Sequence, residues 1–278
     1  MTGSIIRFTP ARIKWVALAA LMSLSYCAAY AAETPASILG AWRIISAEPD
    51  HQATARVSTI PGDPRYVGRV IHLDGNSAYG ELIWDVDCQQ PTYTPQSLMT
   101  LDEAILKTSG ERYVEPKTPV AKDFGFEQPG NLKITPILIQ CKSGYLSTDG
   151  VSIKNWVALL SDDSAVMNWF DNSYVVMQRV KSGEKAKPSF SCDAKLNAIE
   201  QTICSSDDLS SWDRSVTDAY TIQLQQQQEI DPADKAALAG MKAAQRDWLK
   251  KRNQCQTDEA CLTKSMQQRT FELVSKIQ

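Results

Sequence analysis

Cysteine is the residue type whose number and spacing in this sequence point most directly to chemistry. The 278 residues contain seven cysteines. One of them, Cys27, lies in an N-terminal segment considered below, and the other six are Cys88, Cys141, Cys192, Cys204, Cys255 and Cys261. Zinc binding would need paired C-x-x-C or His-rich spacing, which this sequence does not have. An even set of cysteines favours disulfide bonds if the chain is exported.

Catalytic chemistry of other kinds has few possible centres in this sequence. His51 and His72 are its only histidines, and it has no G-x-S-x-G, H-E-x-x-H, P-loop or Rossmann motif. Glycosidase chemistry needs two carboxyl groups held across a cleft. The adjacent pairs Asp162-Asp163 and Asp207-Asp208 are instead typical of turns and helix starts. We therefore expect a protein that is not an enzyme and that needs neither a metal nor a cofactor.

The first 31 residues have the three parts of a secretory signal peptide. Three cations and no acidic residue precede the apolar run at 15–24. After the run, Ala29 and Ala31 are small residues at the two positions that a signal peptidase recognises. The apolar run is shorter than the roughly 20 residues that a transmembrane helix needs. We therefore expect cleavage near Ala31 and a periplasmic or secreted protein of the bacterial envelope, without a membrane span.

Cleavage would change both the charge and the cysteine count. The whole chain has 29 basic and 32 acidic residues, and the mature chain would have 26 basic and 32 acidic residues, a net charge of −6. This balance argues against nucleic acid or anionic lipid as a partner and permits electrostatic attraction to a basic partner. Lipid attachment at Cys27 is an alternative to cleavage near Ala31, although Tyr26 stands where lipid-modified cysteines normally follow Gly or Ala.

A polar segment at residues 183–188 separates two regions of different composition. Gly and Pro punctuate short apolar runs in residues 34–182, whereas Gln, Ala, Lys and Asp dominate residues 189–278. The segment between them contains Gly and Pro and is typical of a linker. We therefore predict an α+β multidomain chain: a mostly-β, barrel-like domain followed by a small disulfide-stapled α-helical bundle.

Short apolar runs separated by turn residues predict the strands of the first domain. The predicted strands are Trp42–Ser46, Gly68–Leu73, Ala78–Trp84, Leu132–Cys141, Val151–Leu160, Ser164–Phe170 and Tyr174–Val180. The last two, joined by Asp171-Asn172-Ser173, form the clearest hairpin. Residues 96–107 form a helix or a long excursion, and Cys88 and Cys141 are expected to pair because they are the only cysteines of this domain.

One feature indicates the kind of barrel. Gly40-Ala41-Trp42 opens the first strand and Arg179 lies on the last. This arrangement resembles lipocalin-like barrels, in which a late Arg stacks on the Trp; an ordinary core Trp and a surface Arg are the alternative. The resemblance implies a binder of a small apolar ligand, with a roomy barrel interior.

Helix start signals divide residues 189–278. Asn197 and Glu200 form a capping box, Ser206 precedes the next helix, Asp231 is expected to cap the third, and Asp258 opens the fourth. Two long antiparallel helices and two shorter elements predict a small bundle.

Helix geometry decides whether the four cysteines of this bundle can pair. A helix that begins only at Asn197 lets the preceding residues fold back, so Cys192 can reach Cys204. Cys255 and Cys261 span a short loop and the first turn of the fourth helix. Two such bridges would stabilise a domain whose core alone is marginal.

Six aromatic and charged residues of the bundle are candidates for a binding face: Trp212, Asp213, Tyr220, Arg246, Trp248 and Arg252. Aromatic residues and Arg are the usual anchors of protein interfaces. In the alternative interpretation, the aromatic residues form the bundle core, and Asp213 pairs with Arg246 or Arg252.

The same region resembles a known family. The residues that carry the resemblance are Pro188–Cys192, Ile199–Cys204, Leu209–Asp213, Tyr220, Gln245–Cys255 and Ala260–Leu262. Over about 188–275 they are similar to the N-terminal domain of the LprI-type lysozyme inhibitors. The resemblance implies a non-enzymatic protein that binds a lysozyme or another peptidoglycan hydrolase. An envelope structural or stress protein with another partner is the alternative.

A second likeness to lysozyme inhibitors lies in the β domain. The segment Cys141-Lys142-Ser143-Gly144-Tyr145 is similar to the Ser-Gly loop with which a class of small β-barrel inhibitors enters the lysozyme cleft. A plain β-turn is the alternative.

Overall fold

The structure, a computed structural model, describes residues 1–3, 38–54, 58–80, 86–147 and 153–277. Residues 38–277 belong to one compact unit. The expected signal peptide, except for its first three residues, lies outside the described residues. So do the second half of the predicted strand Ala78–Trp84 and the start of the predicted strand Val151–Leu160.

Strands are the main regular structure of the described region before residue 180. They are β1 Gly40–Pro49, β2 Val70–Leu73, β3 Ser77–Gly80, β4 Val86–Gln89, β5 Thr92–Pro95, β6 Met99–Thr100, β7 Lys133–Ile134, β8 Ile137–Gln140, β9 Ser143–Tyr145, β10 Trp156–Ser161, β11 Ser164–Trp169 and β12 Ser173–Arg179. Ten of them form one antiparallel sheet in the order β5-β8-β10-β11-β12-β1-β2-β3-β4-β9, and β6 pairs with β7.

The register shows how this sheet curls. Cys88 in β4 lies opposite Gly144 in β9, and Tyr93 in β5 lies opposite Ile139 in β8. From Cys88 to Tyr93 one segment advances by five residues, and from Gly144 to Ile139 the other goes back by five, so the two ladders keep one register. The two ends of the sheet are therefore built from the same two chain segments, and the sheet curls into the expected barrel-like shape. The disulfide between Cys88 and Cys141 joins these segments.

Several predicted strands need correction. The single strand Leu132–Cys141 is wrong, because Pro136, which has no N–H to donate to a ladder, separates β7 from β8 in a different sheet. Within the described part of the predicted strand Val151–Leu160, the strand begins at Trp156. The loop or turn predicted around Ser143-Gly144 is also wrong: β9 pairs with β4 here, and a Cβ at Gly144 would overlap the carbonyl oxygen of Asp87.

The predicted closing hairpin is confirmed. Strands β11 and β12 pair antiparallel, with Trp169 opposite Ser173. Between them, Asp171 and Asn172 have φ angles of 59° and 51°. Asp and Asn tolerate this left-handed conformation better than most side chains, which explains the composition of the turn.

Buried side chains fill the inside of the curled sheet. Trp42, Ile71, Met167 and Met177 have no solvent exposure and belong to one apolar cluster. The Arg179 guanidinium lies 4.2 Å from the centroid of the Trp42 ring, the stacking expected from the lipocalin-like resemblance. Because the inside of the sheet is packed with side chains, the roomy interior that the same resemblance implied is not observed in the described strands.

A second apolar cluster lies on the other face of β10–β12. Helix α1 (Leu101–Ser109) covers this face and overlaps residues 96–107, the region predicted as a helix or a long excursion. Thr100 and Glu103 form its capping box. The indole N–H of Trp156 donates to Thr108 Oγ1 at 2.8 Å, which fixes the helix on the sheet.

Four helices follow residue 188: α2 Ala198–Ser205, α3 Asp207–Ile230, α4 Lys235–Arg252 and α5 Glu259–Val274. The capping box at Asn197 and the starts at Ser206 and Asp258 are confirmed. The predicted cap at Asp231 is wrong, because Asp234 accepts from Ala237 N and caps α4, while Asp231 begins a turn. Helix α5 spans 16 residues, so the bundle has three long helices, and two had been expected.

Candidate protein-binding site

The six candidate residues of the bundle are not all on its surface. Trp212, Asp213 and Arg252 are buried, with Trp212 fully inaccessible. Tyr220 and Trp248 are half-buried and pack against the same apolar cluster as Trp212. Arg246 is exposed. The structure therefore brings five of the six together in the bundle interior and leaves one available to a partner.

Asp213 links three parts of the chain. Its carboxylate accepts a hydrogen bond from Arg252 Nη1 at 3.3 Å, and it also accepts from the backbone N and the hydroxyl of Ser189, at 2.8 and 2.6 Å. Burial lowers the pKa of Arg252, and the charge of Asp213 opposes this shift. The pair fixes the end of α4 against α3 and holds the entry of the chain into the bundle.

A half-buried aromatic ring is flanked by two arginines. The guanidinium carbons of Arg252 and Arg269 lie 5.5 and 6.0 Å from the centroid of the Trp248 ring. Arg269 Nη2 also donates to Gln245 Oε1 at 2.9 Å, so it joins α5 to α4. The position of Arg269 beside Trp248 follows from the packing of two helices.

The predicted disulfides of the bundle are present. Cys192 and Cys204 have Cα atoms 5.9 Å apart, and Cys255 and Cys261 have Cα atoms 5.5 Å apart. The first bridge ties the segment before α2 to the end of that helix, and the second closes the turn between α4 and α5.

A buried arginine joins the curled sheet to α3. Arg69, immediately before β2, is 2% exposed, and it donates to the hydroxyls of Ser211 and, at 3.0 Å, Ser215. Its guanidinium carbon lies 3.7 Å from the centroid of the Trp212 ring. The sequence gives no local signal for this contact, because the two residues are far apart in the chain.

The backbone before Arg69 approaches α3 closely. Gly68 has a φ of 89°, and a Cβ placed on it would lie 2.5 Å from Ser211 Oγ. Both the backbone conformation and the space at this position therefore favour glycine.

A cleft of about 400 Å³ lies between strands β1 and β2 and the start of α3. It contains charges of both signs. Arg43 pairs with Asp207 at 3.2 Å, and Arg69 pairs with Asp208 at 3.6 Å. The Asp207-Asp208 pair begins a helix, as expected from the sequence, and it also pairs with two arginines, which the sequence did not predict.

The described part of the chain lacks two other kinds of feature. Nowhere in it do three or more His, Cys, Asp or Glu side chains gather in a way that could hold a metal ion. None of its helices is long and apolar enough to cross a membrane.

Comparison with known proteins shows a family to which the bundle is similar. Residues 192–273 match the family described as Lysozyme inhibitor LprI. This part of the chain is similar to the LprI lysozyme inhibitors. No curated protein and no solved structure matched the chain.

The LprI-like region, residues 192–273, includes both disulfides of the bundle and all of its four helices except Val274, the last residue of α5. Its boundaries also include all six candidate residues. The curled sheet lies outside the match. The similarity therefore concerns the helical part of the chain and leaves the sheet without a counterpart.

The exposed surface of the LprI-like region includes a row of cations on α4. Lys235, Lys242 and Arg246 are exposed and follow one another at spacings of seven and four residues. This spacing places them on one face of the helix. Such a face suits an acidic partner and repels a basic one.

Proposed function

We propose that the mature chain is an extracytoplasmic, non-enzymatic protein that binds and inhibits a lysozyme or a related peptidoglycan hydrolase. The observation that carries this proposal is the match of residues 192–273 to the LprI lysozyme inhibitors. Three disulfides in the structure support a location outside the cytoplasm, where thiols oxidise.

The charge of the chain supports a basic partner. Without its first 31 residues the chain would carry a net charge of −6. A protein of this charge associates faster with a basic lysozyme at low salt, because long-range attraction steers the encounter. The cationic face of α4 would lie away from such a partner.

The alternative function, binding of a small apolar ligand inside the curled sheet, has less support. Its first requirement is a cavity, and the inward side chains of the sheet pack against one another instead. The stacking of Arg179 on Trp42 is compatible with a structural role in closing the sheet.

The direct test is an inhibition assay with the mature, oxidised full chain. A basic lysozyme is assayed on a peptidoglycan suspension at inhibitor ratios from below to well above one. We expect loss of lysozyme activity near equimolar amounts, and weaker inhibition at high salt. An unrelated protein of similar negative charge is the control for charge alone. Full lysozyme activity at a large excess of the protein, with no complex detected, would contradict the proposal.

The proposed location has its own test. Expression of the whole chain in a bacterial host should give a periplasmic protein whose N-terminus lies near residue 32 and which has no free thiol. Recovery of an uncleaved, reduced protein from the cytoplasm would contradict the location without bearing on lysozyme binding.

A further inference from the structure

A loop of the curled-sheet region exposes an aromatic side chain that packs against nothing. Residues 110–119 form all but the last residue of the connection between α1 and the short 3-10 helix Ala121–Phe124. In this loop the side chain of Tyr113 is fully exposed, at 103% of its reference area, and its neighbour Val114 is 43% exposed. Folding removes almost none of the apolar area of this tyrosine from water. A partner that covers the ring would bury that area, together with part of the neighbouring valine.

The backbone of this loop is nevertheless held firmly. Arg112 donates to both carboxylate oxygens of Asp50, at 2.6 and 2.7 Å, and to Asp123 Oδ2 at 2.8 Å. Its Nη1 also donates to the carbonyl oxygen of Pro116 at 2.9 Å. These contacts are charge-assisted, and the first is bidentate. The hydrogen bonds with Asp50 raise the pKa of Arg112, so the guanidinium stays charged.

The rigid base of the loop matters for binding. Tyr113 directly follows the residue that these bonds hold, so its backbone is ordered before any partner arrives. Ordering a loop and its side chains is one of the main costs of association. A loop that is already ordered avoids most of that cost.

A small hollow lies beside the exposed ring. It has a volume of about 160 Å³, and its lining includes Tyr113, Glu111, Gln52 and Asn172. The exposed charges next to Tyr113 are the carboxylates of Glu111 and Glu115, with Lys117 on the return of the loop. The Arg112 cation is already paired with Asp50 and Asp123, so the loop presents an aromatic anchor with an acidic rim.

We propose that the loop 110–119 is a contact surface for the basic hydrolase of the proposed function, on which this inference rests. The Tyr113 ring is buried by the partner, and a side chain of the partner enters the hollow beside it. Interface hot spots are enriched in Tyr and consist of an anchor surrounded by contacts that exclude water. The two glutamates steer a basic surface towards the ring. The loop thus adds to whatever contacts the LprI-like region makes.

The test compares binding of the mature full chain and its variants to a basic lysozyme at low salt, by a method that gives association and dissociation rates. Tyr113→Ala should raise Kd about tenfold or more, mostly through faster dissociation. Leu98→Ala is the matched control, because Leu98 is 66% exposed in the same part of the chain. It should change Kd less than twofold.

A second variant tests the acidic rim. Glu111→Gln with Glu115→Gln should lower the association rate and flatten its dependence on salt. All variants should unfold at the same urea concentration as the wild type, because none of the altered side chains is buried.

The outcomes separate the two proposals. If the wild type binds lysozyme and Tyr113→Ala binds within twofold of it, the loop proposal is overturned and the proposed function stands. If the wild type does not bind, both are overturned.

Discussion

The guanidinium carbon of Arg69 lies 3.7 Å above the Trp212 ring centroid, and both side chains are buried. Arg69 comes from the edge of strand β2, and Trp212 comes from the first half of helix α3. The stacked pair therefore joins the curled sheet to the LprI-like region. A cation on an aromatic face is worth most when, as here, water is excluded.

Removing this arginine should weaken the whole molecule. Arg69→Ala removes the cation that pairs with Asp208 and the donor to two serine hydroxyls, and it opens a cavity over Trp212, so we expect a loss of about 3 kcal/mol in the free energy of unfolding. Urea unfolding followed by tryptophan fluorescence measures this loss. Arg246→Ala, at an exposed arginine, should change stability by less than about 0.5 kcal/mol. Equal effects of the two variants would contradict the role assigned to Arg69.

Gly68 offers a test of the close approach between the sheet and α3. Gly68→Ala introduces both an unfavourable φ and a Cβ 2.5 Å from Ser211 Oγ, whereas Gly62→Ala meets a positive φ of 61° with no atom within 4 Å. The φ effect alone costs about 1 kcal/mol, so the variant at position 68 should be the less stable of the two in urea.

A double variant separates the two causes. In a Ser211→Ala background, where the crowding oxygen is absent, Gly68→Ala should cost about as much as Gly62→Ala. If its cost does not fall in this background, the crowding by Ser211 is not the reason for glycine at this position.

The three disulfides should differ in what they contribute. Their sequence separations are 53 for Cys88–Cys141, 12 for Cys192–Cys204 and 6 for Cys255–Cys261. In the chain-entropy account a longer loop gives more stabilisation, about 4, 3 and 2 kcal/mol in that order. Pairwise Cys→Ala variants, unfolded in urea, test this order. A larger loss for the shortest loop than for the longest would show that chain entropy does not dominate.

Tyr93 should make the protein sensitive to alkaline pH. Burial raises the pKa of Tyr93 to about 12, and its hydroxyl donates to the carbonyl oxygen of Asp74 at 2.9 Å. Since the folded pKa exceeds the ordinary value of about 10, this stabilisation is complete below pH 10 and is lost as the pH rises towards 12. Burial raises the pKa of Tyr174 as well, so both residues contribute to the alkaline loss.

The Tyr93→Phe variant isolates one of these two contributions. It should be about 1 kcal/mol less stable at pH 7, because a hydrogen bond is lost, yet its stability should fall less steeply between pH 10 and 12. The tyrosinate absorbance of the folded protein at 295 nm should also lose one late-titrating group. An unchanged slope of stability against pH would contradict the assignment to Tyr93.

Local signals in the sequence were sufficient for several elements. The capping box of Asn197 and Glu200 joins residues three positions apart, so the chain carries that helix start wherever it packs. The Asp-Asn turn before β12 is local in the same way. At Asp231 and Asp234 two such signals compete, and only the packed structure shows that Asp234 caps α4.

Contacts between residues far apart in the chain could not be predicted from the sequence. Strand β9 has three residues and no apolar alternation, and it exists because β4 pairs with it. The partner of Asp213 was open between Arg246 and Arg252. These two arginines are six residues apart, which places them about 120° apart around the helix axis, and packing of α4 on α3 selects Arg252.

The sequence by itself determined the elements whose causes lie within a few residues: the cysteine set and its pairings, the helix caps, the last hairpin, and the likeness of residues 188–275 to the LprI inhibitors. The tertiary structure alone decided that Arg69 meets Trp212, that the inside of the sheet is filled, and that Tyr113 stands exposed on a fixed loop. Each of these depends on how whole elements pack, and such long-range contacts leave no periodic pattern in the chain.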